Sequence, residues 1–254
     1  FSDDLPFDQI AGDCSLLPKP IKLTGLMLSC AERAEVIIDF SQYHEGDEVT
    51  LYTDQVPLLK FRIHNFAKDT TKIPDHLINL KKPSVETSLP IRHVVMQGMD
   101  ESVAIDDKKF AMERIDAEQI VGEYQYWDVT NSNEKPGMVH PFHIHGTRFL
   151  VITRNGKDPY PNENGFKDTI GVNPGETVRI LVKFDLPGIY MYHCHILEHE
   201  DGGMMAQIEI VDPKKPHQKY QLMDMNTLMN ALAEERGIES VSYTHLRAHE
   251  TEAD

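Results

Sequence analysis

The sequence predicts an all-β protein, made of one partial and one complete β-sandwich with a short helix near the C-terminus. Short runs rich in β-branched and aromatic residues recur along the chain, separated by Gly, Pro, Asp and Glu turns and with no regular helices between them. A polar, Pro-containing stretch interrupts the pattern once, which marks a boundary between two β units.

Taken in order, the runs 21–28, 34–40, 48–53 and 57–63 read as the end of one antiparallel sandwich. From 64 to 90 the chain is rich in Lys, Asp, Pro and Thr and is broken at Ile73-Pro74 and Lys82-Pro83, as a linker is. Strands resume at 91–96, 120–130, 148–154, 177–184, 189–193 and 206–211, enough for a second sandwich. Pro141 and Pro187 fall at strand edges or turns, where a missing N–H is harmless. Beyond them, Leu222, Met225, Leu228, Met229 and Leu232 are spaced as on one helix face, and Gly237 follows as a stop. The expected division is 1–64, a linker over 65–90, 91–213, a tail with the amphipathic helix over 214–238, and 239–254.

Composition narrows the function. At 40% hydrophobic residues there is enough apolar matter for a core. No apolar run approaches the roughly eighteen residues that a spanning helix needs. A formal charge of -16 argues against nucleic acid as a partner, because phosphate binding needs clustered Lys and Arg. Cys14 and Cys30 could pair or stay free; two isolated cysteines are no disulfide framework, which favours free thiols.

Two clusters carry the chemistry. His193-Cys194-His195-Ile196-Leu197-Glu198-His199 is followed by Met204, and His140-Pro141-Phe142-His143-Ile144-His145 lies upstream. They hold six of the thirteen histidines and one of the three cysteines. A two-His, one-Cys site with a weak axial Met is the ligand set of a blue electron-transfer copper. Zinc also accepts Cys and His, but it gives no reason for a thioether or for two His-x-His pairs. The segment before Cys194, residues 188–192, reads as a buried strand after a Pro-Gly turn. Successive strand side chains point to opposite faces. Cys194 then faces one way, and His193 and His195 the other. One strand can serve two metal sites, with a peptide as the wire between them. His143 and His145 share a face by the same alternation, while His140, three residues earlier, need not.

These residues resemble a known family. HPFHIHGTRF (140–149) and HCHILEHEDGGMM (193–205) are similar to the two C-terminal copper signatures of the multicopper oxidases, the superfamily of laccases, bilirubin oxidases and cuprous oxidases. Residues 12–41 resemble the closing half of that family's middle domain, and the likeness runs over roughly 8–213. The resemblance implies cupredoxin-like Greek-key sandwiches, with 1–64 the end of the middle domain and 91–213 the C-terminal copper domain. It implies copper as the cofactor. His140, Cys194, His199 and Met204 would form a type 1 site, His143 would ligate type 2 copper, and His145, His193 and His195 would ligate the type 3 pair. Glu200 matches an acidic residue that delivers protons to the oxygen-reducing cluster, with a solvated loop carboxylate as the plain alternative. The implied reaction is one-electron oxidation of a small donor coupled to reduction of O2 to water, with Cys194 as the electron bridge.

The departures matter equally. The family's trinuclear centre uses eight imidazoles, and this chain carries four of them. Its remaining histidines (His44, His64, His76, His93, His217, His245 and His249) form no His-x-His pair. The chain is therefore expected to be a fragment whose N-terminal cupredoxin domain supplies the rest, inactive alone, with any secretion signal upstream. A periplasmic or extracellular location and a cytoplasmic one both fit. Residues 241–251 resemble, in one reading frame, the translation of a transposon-end adapter used in DNA sequencing libraries. The tail 239–254 is thus read as non-native and left out of fold reasoning, and His245 and His249 receive no role. Aromatic or phenolic donors are the leading substrate expectation. Cuprous or another metal ion is the alternative, because Met138 lies two residues before His140 and Met96, Met99 and Met112 lie nearby in sequence. A non-catalytic blue copper electron carrier is the reading from another class. It needs only the type 1 ligands and leaves His143, His145, His193 and His195 without work.

Overall fold

The computed structural model describes residues 1–64, 70–80, 88–133 and 137–215. A 3-10 turn at Ser2–Asp4 leads into β1 (Phe7–Ala11), β2 (Leu16–Leu23) and β3 (Glu35–Ile38), an antiparallel sheet in the order β2-β1-β3. A hairpin of β4 (Glu48–Thr53) and β5 (Val56–Arg62) follows. β1 alternates buried and half-buried residues, the mark of a strand with one face on a core.

The second unit contains β6 (Ile91–Gln97), β7 (Ala104–Ile105), β8 (Ala117–Ile120), β9 (Gln125–Asn131), β10 (His140–Ile144) and β11 (Phe149–Arg154). After a 3-10 turn at Pro161–Glu163 come β12 (Phe166–Lys167), β13 (Thr169–Val172), β14 (Thr177–Val182), β15 (Gly188–Cys194), α1 (Leu197–Asp201) and β16 (Met205–Val211). One sheet runs β13-β10-β15-β16-β8 and the other β12-β11-β14-β9-β6-β7. Two pairings are parallel, β16 with β8 and β6 with β9, as chain returns in a Greek key require. The class is the cupredoxin-like β-sandwich the sequence led us to expect.

The two sheets close on an aromatic centre. Trp127, Phe142, Phe149, Phe184 and Tyr192 are fully buried, with Trp127 and Tyr192 edge to face at 5.2 Å. Truncating any one of the Phe or Trp side chains to alanine costs about 3–5 kcal/mol. The hydrophobic cluster includes Cys194 and Met204, so part of the candidate metal site belongs to the core.

Several elements differ from the sequence reading, β1, β7 and β12 among them, and some differ for a plain local reason. The expected strand 120–130 is two strands in opposite sheets, because Gly122 adopts φ +81 and turns the chain from one to the other. The expected strand 21–28 begins earlier, at Leu16, across Pro18 and Pro20. β2 is an edge strand, where prolines cost little. β10 and β13, short and Pro- or Gly-containing, are strands that propensity did not mark. The amphipathic helix expected within the tail 214–238, and the tail 239–254, lie outside the described residues, which end with Lys214 and Lys215 of that tail. Cys14 and Cys30 are free thiols.

Candidate metal centre

The register of three strands builds the site. β10 lies between β13 and β15, with Phe142 opposite Cys194 and His143 opposite His193. Alternation then assigns faces. His140, Phe142 and Cys194 share the inner face, and His143, His193 and His195 the outer one. The separation of three between His140 and His143 is what sends them to opposite sides.

On the inner face Cys194 Sγ lies 3.6 Å from His140 Nδ1 and 3.7 Å from His199 Nδ1, and the two nitrogens are 3.3 Å apart. All three residues are buried. His199 reaches the triangle because α1 turns the chain back directly after β15. The Met204 carbonyl accepts the Cys194 N–H at 3.1 Å, and Met204 N–H donates to the His199 carbonyl at 2.8 Å, so the loop is closed by its own backbone. The Met204 side chain is fully buried.

The triangle can be tested against a metal ion. An ion about 2.3 Å from sulfur and about 2.0 Å from each nitrogen, with bonds about 120° apart, sets S···N edges of about 3.7 Å and an N···N edge of about 3.5 Å. The observed edges match within about 0.2 Å. Burial pushes the Cys194 thiol up to about 12, so an ionised sulfur here needs a cation beside it. Burial lowers His140 to about 4, helped by His199, which keeps the ring neutral and ready as a ligand. A backbone hydrogen bond to Gly98 opposes that shift. A proton on Nε2 serves that bond and leaves Nδ1 bare toward Cys194. Asn133 is clamped to both backbone groups of Gly98 at 3.0 Å and so holds the backbone that this ring proton meets; its Nδ2, 2.9 Å from Nε2, is itself a donor and makes no bond to a protonated Nε2.

On the outer face four imidazoles meet. Ring centroids lie 5.0 Å apart for His143 and His145, 5.1 Å for His145 and His193, 5.3 Å for His143 and His193, and 5.4 Å for His195 with both His143 and His193. His145 Nε2 and His193 Nε2 are 3.0 Å apart. His193 Nδ1 is taken by the Cys194 carbonyl at 3.0 Å, with Glu200 Oε2 at 3.3 Å, so its Nε2 is the free nitrogen. Burial lowers the His143 pKa to about 4 and lowers that of His193. His193 is buried while His145 is exposed, so the cluster opens onto the surface.

The comparisons agree with this geometry. The multicopper oxidase family model matches residues 82–214, more than half of the chain. The chain belongs to the multicopper oxidases. Copper is that family's metal, and the donor sets above suit it. Over 210 residues the chain is 38% identical to a multicopper oxidase of Staphylococcus aureus, covering 82% of this chain and 44% of that protein. It is 31% identical to a laccase of Bacillus subtilis, covering 82% and 47%. Its structure is similar to the crystal structure of a multicopper oxidase from Pediococcus acidilactici, with TM-score 0.84 and 53% identity over 87% of this chain and 47% of that one. The chain thus spans about half the length of the multicopper oxidases it matches.

Of the residues singled out in the sequence, His140, Cys194 and His199 converge on one point and His143, His145, His193 and His195 on another. Glu200 stands beside the second cluster. Met138 is 45% exposed and Met99 is exposed too, but Met96 is fully buried in the core. Met96 is therefore withdrawn from the surface thioethers, and Met112 is half-buried. The sequence reading missed Asn133, Asp168 and Thr169, which touch the histidines, and Arg33, which touches Asp168. No spacing pattern marks them, because Arg33, Asn133 and the Asp168–Thr169 pair reach the site from three segments far apart in sequence. The large concavity in the N-terminal unit, about 1390 Å³ and lined by Leu5, Ile37, Phe40, Phe61 and Ile73 among others, shares no residue with either cluster.

Proposed function

We propose that this chain is the electron-entry half of an oxidase that couples one-electron oxidation of a small donor to reduction of O2 to water. The observation that supports it is the split of β15, with Cys194 in a three-ligand triangle on one face and His193 and His195 among four imidazoles on the other. In this reading His140, Cys194, His199 and Met204 hold type 1 copper, His143 holds type 2 copper, and His145, His193 and His195 hold their share of the type 3 pair. Bound copper would supply one-electron redox chemistry at the triangle and oxygen reduction at the imidazole face.

The chain's own groups do the rest. The Cys194 backbone joins the two clusters by one peptide on each side, so no through-space step separates them. Burial of the triangle excludes water from the thiolate. Glu200, at 3.3 Å from His193, is placed to hold a proton beside the imidazole face. The other four imidazoles come from an N-terminal cupredoxin domain, which would cover the open side at His145. Residues 1–64 form the end of a middle domain, 65–90 the linker and 91–213 the copper domain.

Aromatic or phenolic donors are the proposed substrates. The exposure of Met138, two residues from His140, favours cuprous ion as the second reading. Oxygen uptake by the complete oxidase, measured with a phenol and with Cu(I), separates them. Rapid Cu(I) turnover that vanishes in Met138→Leu while phenol rates persist would reverse the order. A non-catalytic carrier would bind one copper with a strong blue band and consume no oxygen; the proposal expects four coppers in the complete protein.

A further inference from the structure

Behind His143 lies a hydrogen-bond chain whose other members, Thr169, Asp168 and Arg33, fall outside both copper motifs. Thr169 is fully buried and stands directly opposite His143 in the β10–β13 register. His143 Nδ1 lies 2.9 Å from Thr169 Oγ1 and 3.0 Å from the Asp168 carbonyl. The Thr169 hydroxyl donates to Asp168 Oδ1 at 2.9 Å. Arg33 grips the same carboxylate with both terminal nitrogens, at 2.7 and 2.8 Å, and the Cys14 thiol donates to it at 3.4 Å.

The donor and acceptor inventory gives this chain a direction. A carboxylate only accepts, so the single Thr169 proton is committed to Asp168. The hydroxyl can then offer His143 only a lone pair, and the Asp168 carbonyl can offer only the same. Both neighbours therefore demand a proton on His143 Nδ1, which leaves Nε2 as the bare nitrogen. The Asp168 carbonyl is shared, since it also accepts the Ile144 N–H at 3.2 Å. Arg33 completes the arrangement from outside the copper unit. It lies between β2 and β3 of the N-terminal unit, 135 residues away in sequence, and its planar fork fixes where the carboxylate points.

We propose that Thr169 and Asp168 are positioning residues that set the tautomer and ring orientation of His143, and that Arg33 anchors them from the N-terminal unit. The inference rests on His143 being a copper ligand. It makes the copper site depend on how the two β units dock, because the guanidinium that steadies Asp168 belongs to the other unit.

The complete oxidase tests it. Thr169→Val keeps the side-chain shape and removes the hydroxyl, and Thr169→Ser restores it. Copper retention under a chelator and the paramagnetic resonance signal of the non-blue copper are the readouts, with the blue absorption band as internal control. Thr169→Val should loosen that copper by roughly ten- to a hundred-fold and shift its resonance signal, with the blue band unchanged. Thr169→Ser should recover both. Arg33→Lys, at a side chain 49% exposed, keeps the charge but loses the fork and should shift the signal in the same direction. Wild-type signals in both Thr169→Val and Arg33→Lys, beside a loss of copper in His143→Ala, overturn the positioning role alone. Full copper retention in His143→Ala overturns the ligand assignment and the inference with it.

Discussion

His143 and His193 are direct cross-strand partners in β10 and β15, one residue along from the pair Phe142 and Cys194. A single step of the pleat therefore separates an apolar, sulfur-containing face from an imidazole face. Slipping either strand by one residue would send Cys194 to the imidazoles and a histidine into the core.

Cys194→Ser is expected to abolish the blue band and leave copper at the imidazole face. The hydroxyl is too hard and too poorly ionised to replace a thiolate for a soft ion. Absorption spectroscopy with copper counting checks this; a blue protein after the substitution would remove Cys194 from the site.

Asn133→Ala should weaken copper at the triangle by roughly ten-fold or more, as loss of a group that orients a ligand does. Asn133 fixes the Gly98 backbone to which His140 bonds, so its loss frees the ring to turn. Competition with a chelator gives the affinity, and an unchanged value would show that Gly98 alone holds His140.

Lys167 is buried between Asp13 and Glu32, at 3.0 and 3.2 Å, and the pairs tie the N-terminal unit to β12. Burial alone would lower its pKa, but Glu32 and Asp13 raise it above the usual 10.5. A raised amine contributes stability that is fully present below the unfolded value and is lost as pH rises through the folded one. Wild-type stability should therefore fall in alkali, above about pH 10.5. Lys167→Met, which leaves two buried carboxylates unpaired, should cost about 3–5 kcal/mol at neutral pH and show a shallower alkaline decline. Denaturant melts across that pH range decide it; parallel curves for the two proteins would contradict the assignment.

Gly146→Ala should destabilise the protein by about 1–3 kcal/mol. Gly146 has φ +71, and a Cβ there would sit 2.0 Å from the Tyr190 ring. Tyr190 packs on Phe184 at 5.1 Å and must move, and with it the turn carrying His145. Calorimetry reports the stability, and copper retention reports the displacement of His145. A melting temperature equal to wild type would show that the ring yields freely.

The clustered His and Cys side chains were legible because metal ligands must be particular residue types, and strand alternation carries the facing of Cys194 against His193 and His195 without further information. The register that sets His143 against His193, and the break at Gly122 that divides one expected strand between two sheets, were not legible. Strand pairing is a long-range choice made by packing, and short segments such as β10 and β13 carry too little local preference to announce it.

By itself, the sequence determined the all-β class, the family and the His and Cys side chains that the structure gathers into two clusters. Only the tertiary structure decided that His199 returns through α1 to close a triangle of trigonal size, and that Met96 belongs to the core while Met138 stays at the surface. It also decided that Arg33, Asp168 and Thr169 stand behind His143. The reason is physical. Ligand identity is a property of single side chains, whereas bond-length geometry and hydrogen-bond direction exist only after residues distant in sequence are packed to within about 3 Å of each other.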